Sequence, residues 1–156
     1  MGRFFVLFAF VATVSSSLLA SANDLKIADG AELIVLDRSE LEAFPQSTVV
    51  TFSPYFDGDE TFSGPTLTRV LEPFDVSGER NVTLKALNDY TVTGPLREIL
   101  GLDAIVATRR NGKVMSVRDR GPFWIILPLS TRPELDDENF HRYMVWQLNG
   151  IELSNR

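Results

Sequence analysis

Cysteine is absent from the 156-residue sequence, and histidine occurs once, at His141. Without thiols there is no disulfide, thiolate metal ligand, iron–sulfur cluster or cysteine nucleophile, so stability must come from packing. A single imidazole excludes a multi-histidine metal centre. Positive charge is scarce too: 15 Lys and Arg stand against 21 Asp and Glu, for a net charge of −6. Nucleic-acid affinity rests on broad basic surfaces, so nucleic acid is not an expected partner. Apolar residues make up 44% of the chain, an ordinary globular fraction that argues against disorder.

What is present begins with Met1-Gly2-Arg3, the apolar run Phe4 to Val14, and small residues ending in Ala20-Ser21-Ala22. This is the three-part pattern of a secretory signal peptide. The run falls well short of the ~20 apolar residues that a bilayer span needs. Cleavage is expected after Ala22, leaving residues 23–156 as one domain. Arg3 is the only charge lost, so the mature net charge becomes −7. Export without disulfides fits a bacterial periplasm better than the extracellular medium. No membrane span is expected after cleavage.

No repeat, low-complexity tract or linker divides the remainder. Ala31 to Asp37 reads as a strand, and Arg38 to Glu42 as a short helix with Ser39 and Glu42 as its capping box. Ser47 to Ser53 is a β-branched strand. Pro54 to Gly64 reads as a solvated turn whose acids lack the fixed ligand spacing of a calcium loop. Pro65 to Phe74 carries Leu67, Val70 and Leu71 at helical spacing. Asn81 to Leu87 alternates as a strand, turns at Asn88-Asp89 and resumes at Tyr90 to Val92; Pro95 to Leu100 is a helical turn ended by Gly101. Ile105 to Thr108 and Val114 to Val117 are expected as arms of a hairpin through Asn111-Gly112. Phe123 to Leu127 is a continuously apolar strand, Arg132 to Tyr143 is polar and partly helical, and Met144 to Leu153 is a closing strand with a bulge near Gly150. The expectation is a single mixed α+β domain with short helices on a strand-rich core.

One segment reverses the sign of the chain. Arg109, Arg110, Lys113, Arg118 and Arg120 fall within twelve residues, opposed only by Asp119. Guanidinium forks match oxyanions bidentately, which makes Arg109, Arg110, Arg118 and Arg120 candidate ligands for a small anion. An exposed hairpin would also carry such charges. Adjacent strand residues point to opposite faces, so only one of Arg109 and Arg110 can share a site with Arg118 across the hairpin.

In order, the chain contains FSGPTLTRVLE, VTLKALNDYTVTGPL, IVATRRNGKVM and RGPFWIILP. This succession resembles the molybdopterin-binding oxidoreductase domain of the sulfite oxidase family over roughly residues 51–153. Gly64 and Leu67 match its first helix, Ala86 to Tyr90 its strand and turn, Ala107 with Asn111-Gly112 its hairpin, and Gly121-Pro122 with Pro128 its glycine-proline strand. The resemblance implies a sulfite-oxidase-like fold and a possible molybdopterin, and places Asn88 and Tyr90 beside a pocket. Several positions depart from the family. The metal-binding cysteine of the family, expected within Val49 to Phe62, is missing; Phe123 and Trp124 stand where an arginine is common; and Asn88-Asp89-Tyr90 replaces Asp-Gly-Tyr. The chain is also shorter than a full cofactor-enclosing enzyme.

Other residues admit plainer readings. Asn88 and Asp89 suit an ordinary turn with Tyr90 packed at its edge. His141 lies in a polar run with no evident partner, and surface placement is expected. Trp124 and Trp146 read as core or partial-core aromatics. Ser130, His141 and Asp136 lack the nucleophile-elbow motif that would support hydrolysis. Two functions follow. The first is an exported, non-catalytic or accessory domain that binds a small anionic ligand or an envelope protein and needs no cofactor. The second is a molybdopterin-dependent oxidoreductase that lacks the usual cysteine ligand.

Overall fold

The computed structural model describes residues 23–155, so the expected leader, residues 1–22, lies outside the described residues. Eleven strands and four short helices are described. The first sheet combines β1 (Leu25–Asp29), β2 (Glu32–Leu36), β5 (Arg80–Ala86), β6 (Thr91–Pro95) and β11 (Leu148–Asn155), in the order β2-β1-β11-β5-β6. Its strands are antiparallel except for β1 beside β11, which run parallel. Leu25, Ile27, Val82, Leu84, Ile151 and Leu153 enter the core from one face. Lys26, Lys85 and Glu152 stay exposed, the alternation expected of a half-solvated sheet. A bulge between Leu148 and Gly150 resets the alternation of β11, so Leu148 and Ile151 both point inward.

The second sheet joins β3 (Ser47–Ser53), β4 (Phe56–Gly64), β8 (Arg109–Arg110) and β9 (Lys113–Val114) in that order. A two-stranded ladder pairs β7 (Ile105–Ala107) with β10 (Trp124–Ile126), every residue of which is buried. Around these sheets sit α1 (Arg38–Ala43), α2 (Leu67–Leu71), α3 (Leu96–Leu100) and α4 (Glu138–His141). None of the helices among the described residues is long and apolar enough to cross a membrane. The expected α+β class is therefore observed.

Several local expectations change. Residues 56–64 are strand and not solvated turn: they pair with β3, Gly58 at φ 71° falls where that register shifts, and Glu60 is neutralised by Arg110 within the sheet. The capping box at α1 is Asp37 with Glu40 and not Ser39 with Glu42; Glu42 is held instead by Arg109. Asn111-Gly112 does make the turn, both at positive φ, but its arms are β8 and β9. Ile105 to Ala107 leaves that hairpin to pair with Trp124 to Ile126. β1 lies outside the expected strands; it pairs with both the adjacent β2 and the distant β11.

The matching glycine of the first motif has a physical reason. Val106 N donates to Pro65 O and Thr108 N to Ser63 O, which brings β7 against the end of β4. A Cβ on Gly64 would lie 2.0 Å from the Val106 carbonyl oxygen. Only glycine lets these two backbones approach so closely.

Candidate functional site

The basic segment is built into the scaffold one arginine at a time. Arg109 donates from Nε to Glu42 Oε1 at 2.8 Å and from Nη2 to Oε2 at 3.1 Å, and the buried Thr108 hydroxyl donates to the same carboxylate. Those bonds, with the arginine foremost, hold the Glu42 carboxyl below its ordinary range. Arg110 pairs with Glu60 and lies 5.2 Å over the Phe56 ring. Alternation thus sends the two neighbours to different carboxylates. Arg120 sits 5.3 Å from the centroids of both Trp124 and Trp146, and its Nη1 donates to Tyr55 O at 2.5 Å. Arg118 is exposed and, among the described residues, has no ion-pair or hydrogen-bond partner. These four arginines do not gather around a common point with their donors free.

The turn residues Asn88 and Tyr90 come together with more distant groups. Asp89 occupies the left-handed region at φ 66°, and Asn88 Oδ1 accepts from Tyr90 N at 3.1 Å, the side-chain turn expected of asparagine. Tyr90, 45% exposed, donates its hydroxyl to Arg142 O at 3.1 Å. Tyr55, from the β3–β4 turn, donates to the preceding carbonyl, His141 O, at 3.2 Å. The phenols therefore cap two consecutive carbonyls at the end of α4. Between them lies a cleft of about 120 Å³, completed by Met144, Val145 and Trp146. Tyr55 and Trp146 meet edge to face, with centroids 5.0 Å apart at 73°.

The chemistry of the cleft is one-sided. Its carbonyls at His141 and Arg142 and the Asn88 side-chain oxygen are engaged. Arg142 uses Nε on Asn139 O and Nη2 on the Tyr143 hydroxyl; its Nη1, Asn88 Nδ2 and Trp146 Nε1 donate to no described residue. No lining residue is a carboxylate, and Arg142 forms no ion pair among the described residues. The residues lining it therefore retain donors and one unpaired cation.

His141 departs from the expectation of a surface residue without a partner. Its side chain is 13% exposed, and Nε2 lies 2.9 Å from Asp136 Oδ1, although not in hydrogen-bonding alignment. Ser130 does not join them: its hydroxyl donates to Asp59 at 3.1 Å and accepts from Phe52 N at 3.0 Å. Trp124 is fully buried, as expected, with its indole N–H on Met144 O; Trp146 is only partly buried and lines the cleft. Sequence reading missed Tyr55 and Arg142. Their partners lie 86 and 52 residues away, so no local spacing announces them.

This arrangement defines a strand-rich α+β domain carrying an aromatic, donor-rich cleft. Among solved structures, the sulfane dehydrogenase SoxCD from Paracoccus pantotrophus is similar to it with a TM-score of 0.62 at 14% identity, covering 87% of this chain and 39% of that chain. The likeness is one of fold, and this chain spans about two fifths of the length of that one. No family model matches the chain, and no curated protein matches it.

The residues present do not supply the ligand by which the family implied by the sequence resemblance holds the molybdenum of its molybdopterin. In the stretch where the family carries its thiolate, Thr51 Oγ1 donates to Phe52 O and accepts from Ser130 N, while Ser53 Oγ accepts from Tyr55 N. Glu60 is paired with Arg110 and Asp59 accepts from Ser130. Soft-ligand coordination has no donor here. Among the described residues, no group of three potential ligands from His, Cys, Asp and Glu comes together.

Proposed function

We propose that this chain is an exported, periplasmic and non-catalytic binding module on an oxidoreductase fold, whose ligand is a small anion held at the Tyr55–Trp146 cleft. The observation that carries this reading is the imbalance of the cleft: the His141 and Arg142 carbonyls and the Asn88 side-chain oxygen are engaged, the lining has no carboxylate, and Arg142, Asn88 and Trp146 keep free donors. Charge-assisted bonds from such donors favour an oxyanion. Asn88 and Tyr90 retain the ligand-side role that the sequence resemblance gives them. Arg118 remains a candidate for steering anions or an envelope partner toward the domain, since it alone of the four arginines is exposed and unpaired.

Calorimetric titration with a panel of small carboxylates, phosphate and sulfate tests the reading. Saturable one-to-one binding weakened by Arg142→Gln is expected. Metal and pterin analysis of protein purified from its native compartment completes the test: stoichiometric molybdenum overturns a non-catalytic role.

A further inference from the structure

The shape and residual valences of the cleft specify more than a negative charge. Tyr55, Tyr90 and Trp146 give it aromatic surface, and the nearly fully buried Met144 and Val145 add apolar surface. Its volume is about 120 Å³. An enclosed cavity of roughly 150 Å³ admits benzene, so an open cleft of this size accommodates one six-membered ring and not a fused tricycle. Aromatic rings meeting edge to face, as Tyr55 and Trp146 do, present faces and edges that a further ring can contact favourably.

The sign of the polar group follows from what is already engaged. Tyrosine hydroxyls occupy the His141 and Arg142 carbonyls, and Arg120 already lies over the Trp146 ring. A cationic ligand would therefore find both of those carbonyls engaged and the Trp146 ring already facing a cation. His141 stands beside Asp136, leaving Arg142 as the unpaired cation of the lining. One cation, with amide and indole donors in the same lining, matches a single carboxylate better than a multiply charged oxyanion.

We propose that the cleft binds a monocyclic aromatic carboxylate, its ring against Tyr55, Tyr90 and Trp146 and its carboxylate on Arg142 and Asn88. This rests on the reading of the cleft as an anion site. The test titrates the full exported chain with benzoate, benzylamine and inorganic phosphate, followed by tryptophan fluorescence and calorimetry. Benzoate is expected to bind one-to-one and more tightly than phosphate, with no saturable binding of benzylamine. Losing a hydrogen bond to a charged group corresponds to about a tenfold or greater loss of affinity, expected for Arg142→Gln. Asn88→Ala, which leaves the Arg142–Tyr143 contact untouched, should weaken benzoate in the same direction, and both variants should melt cooperatively. Phosphate binding as tight as benzoate and weakened by Arg142→Gln overturns the aromatic ligand while keeping the anion reading. Failure of both anions to bind overturns both. Benzoate binding unchanged in Arg142→Gln and Asn88→Ala overturns the placement at this cleft.

Discussion

Arg120 lies over Trp146, its guanidinium carbon 5.3 Å from the ring centroid. The same group is equally distant from Trp124 and donates to Tyr55 O, so it ties the turn that carries Tyr55 to the segment that carries Trp146. A cation between two indoles contributes about 0.5–2 kcal/mol per ring as it becomes desolvated. Arg120→Met is expected to lower stability by about 1–3 kcal/mol on that basis and to change the near-ultraviolet circular dichroism of the tryptophans. Arg120→Lys should restore little, since a compact ammonium lacks the delocalised, multi-donor guanidinium that reaches both rings and the Tyr55 carbonyl at once. Wild-type urea midpoints in Arg120→Met would show that these cation–ring contacts carry no stability.

Three carboxylates make the fold sensitive to acid. Hydrogen bonds from Arg80, Arg109 and Arg110, respectively, hold Asp29, Glu42 and Glu60 below the ordinary carboxylate range. In the unfolded chain these groups titrate near ~3.9–4.3. As pH falls through those values the unfolded state takes up protons first, so stability present above them is lost progressively below. Urea unfolding between neutral pH and about pH 3 should show this decline, flattened in an Asp29→Asn, Glu60→Gln double variant. An equal slope in that variant would assign the acid response to other groups. Because the pairs are partly exposed, the slope should also shrink in about 1 M salt.

Gly64→Ala tests the close approach of β4 and β7. The added Cβ meets backbone at Val106 and not the end of a movable side chain, so relief requires the strands to separate. Overpacking of this kind costs about 1–3 kcal/mol, and more where backbone must shift. The melting temperature should drop clearly. A variant as stable as the parent would mean that the two segments separate without penalty.

Legibility of the fold followed the range of the interactions. Asn111-Gly112 is readable because a tight turn needs two positive-φ residues in succession, a condition written in adjacent positions. The buried run at Trp124 to Ile126 is readable because a strand covered on both faces is apolar throughout. Its pairing with Ile105 to Ala107 is not, since local patterning describes a face and not the neighbour that covers it. Residues 56–64 look like solvent-facing loop until Arg110 neutralises Glu60 across the sheet. The site divides the same way. Asn88 and Tyr90 stand out as a turn, whereas Tyr55, His141 and Arg142 become its neighbours only through hydrogen bonds closing 52 and 86 residues of chain.

The tyrosines should give the fold a second, alkaline boundary. Tyr55 is pushed above the ordinary phenol range chiefly by burial and also by the neighbouring Tyr90, with Arg120 opposing the shift. Burial comes first for Tyr143 as well, reinforced by the charge and hydrogen bond of Glu98. In the unfolded chain a phenol ionises near ~10. Above that value the unfolded state releases protons that the folded state retains, so stability is present below it and falls as pH rises through the folded values. Of the three tyrosines, Tyr55 and Tyr143 should therefore resist ionisation in the native protein, with their phenolate absorbance appearing at higher pH or together with unfolding. Tyr55→Phe removes one contribution and should make the alkaline decline shallower, leaving the acid limb unchanged. Three phenols titrating together near ~10 in the native protein would contradict the burial of both hydroxyls.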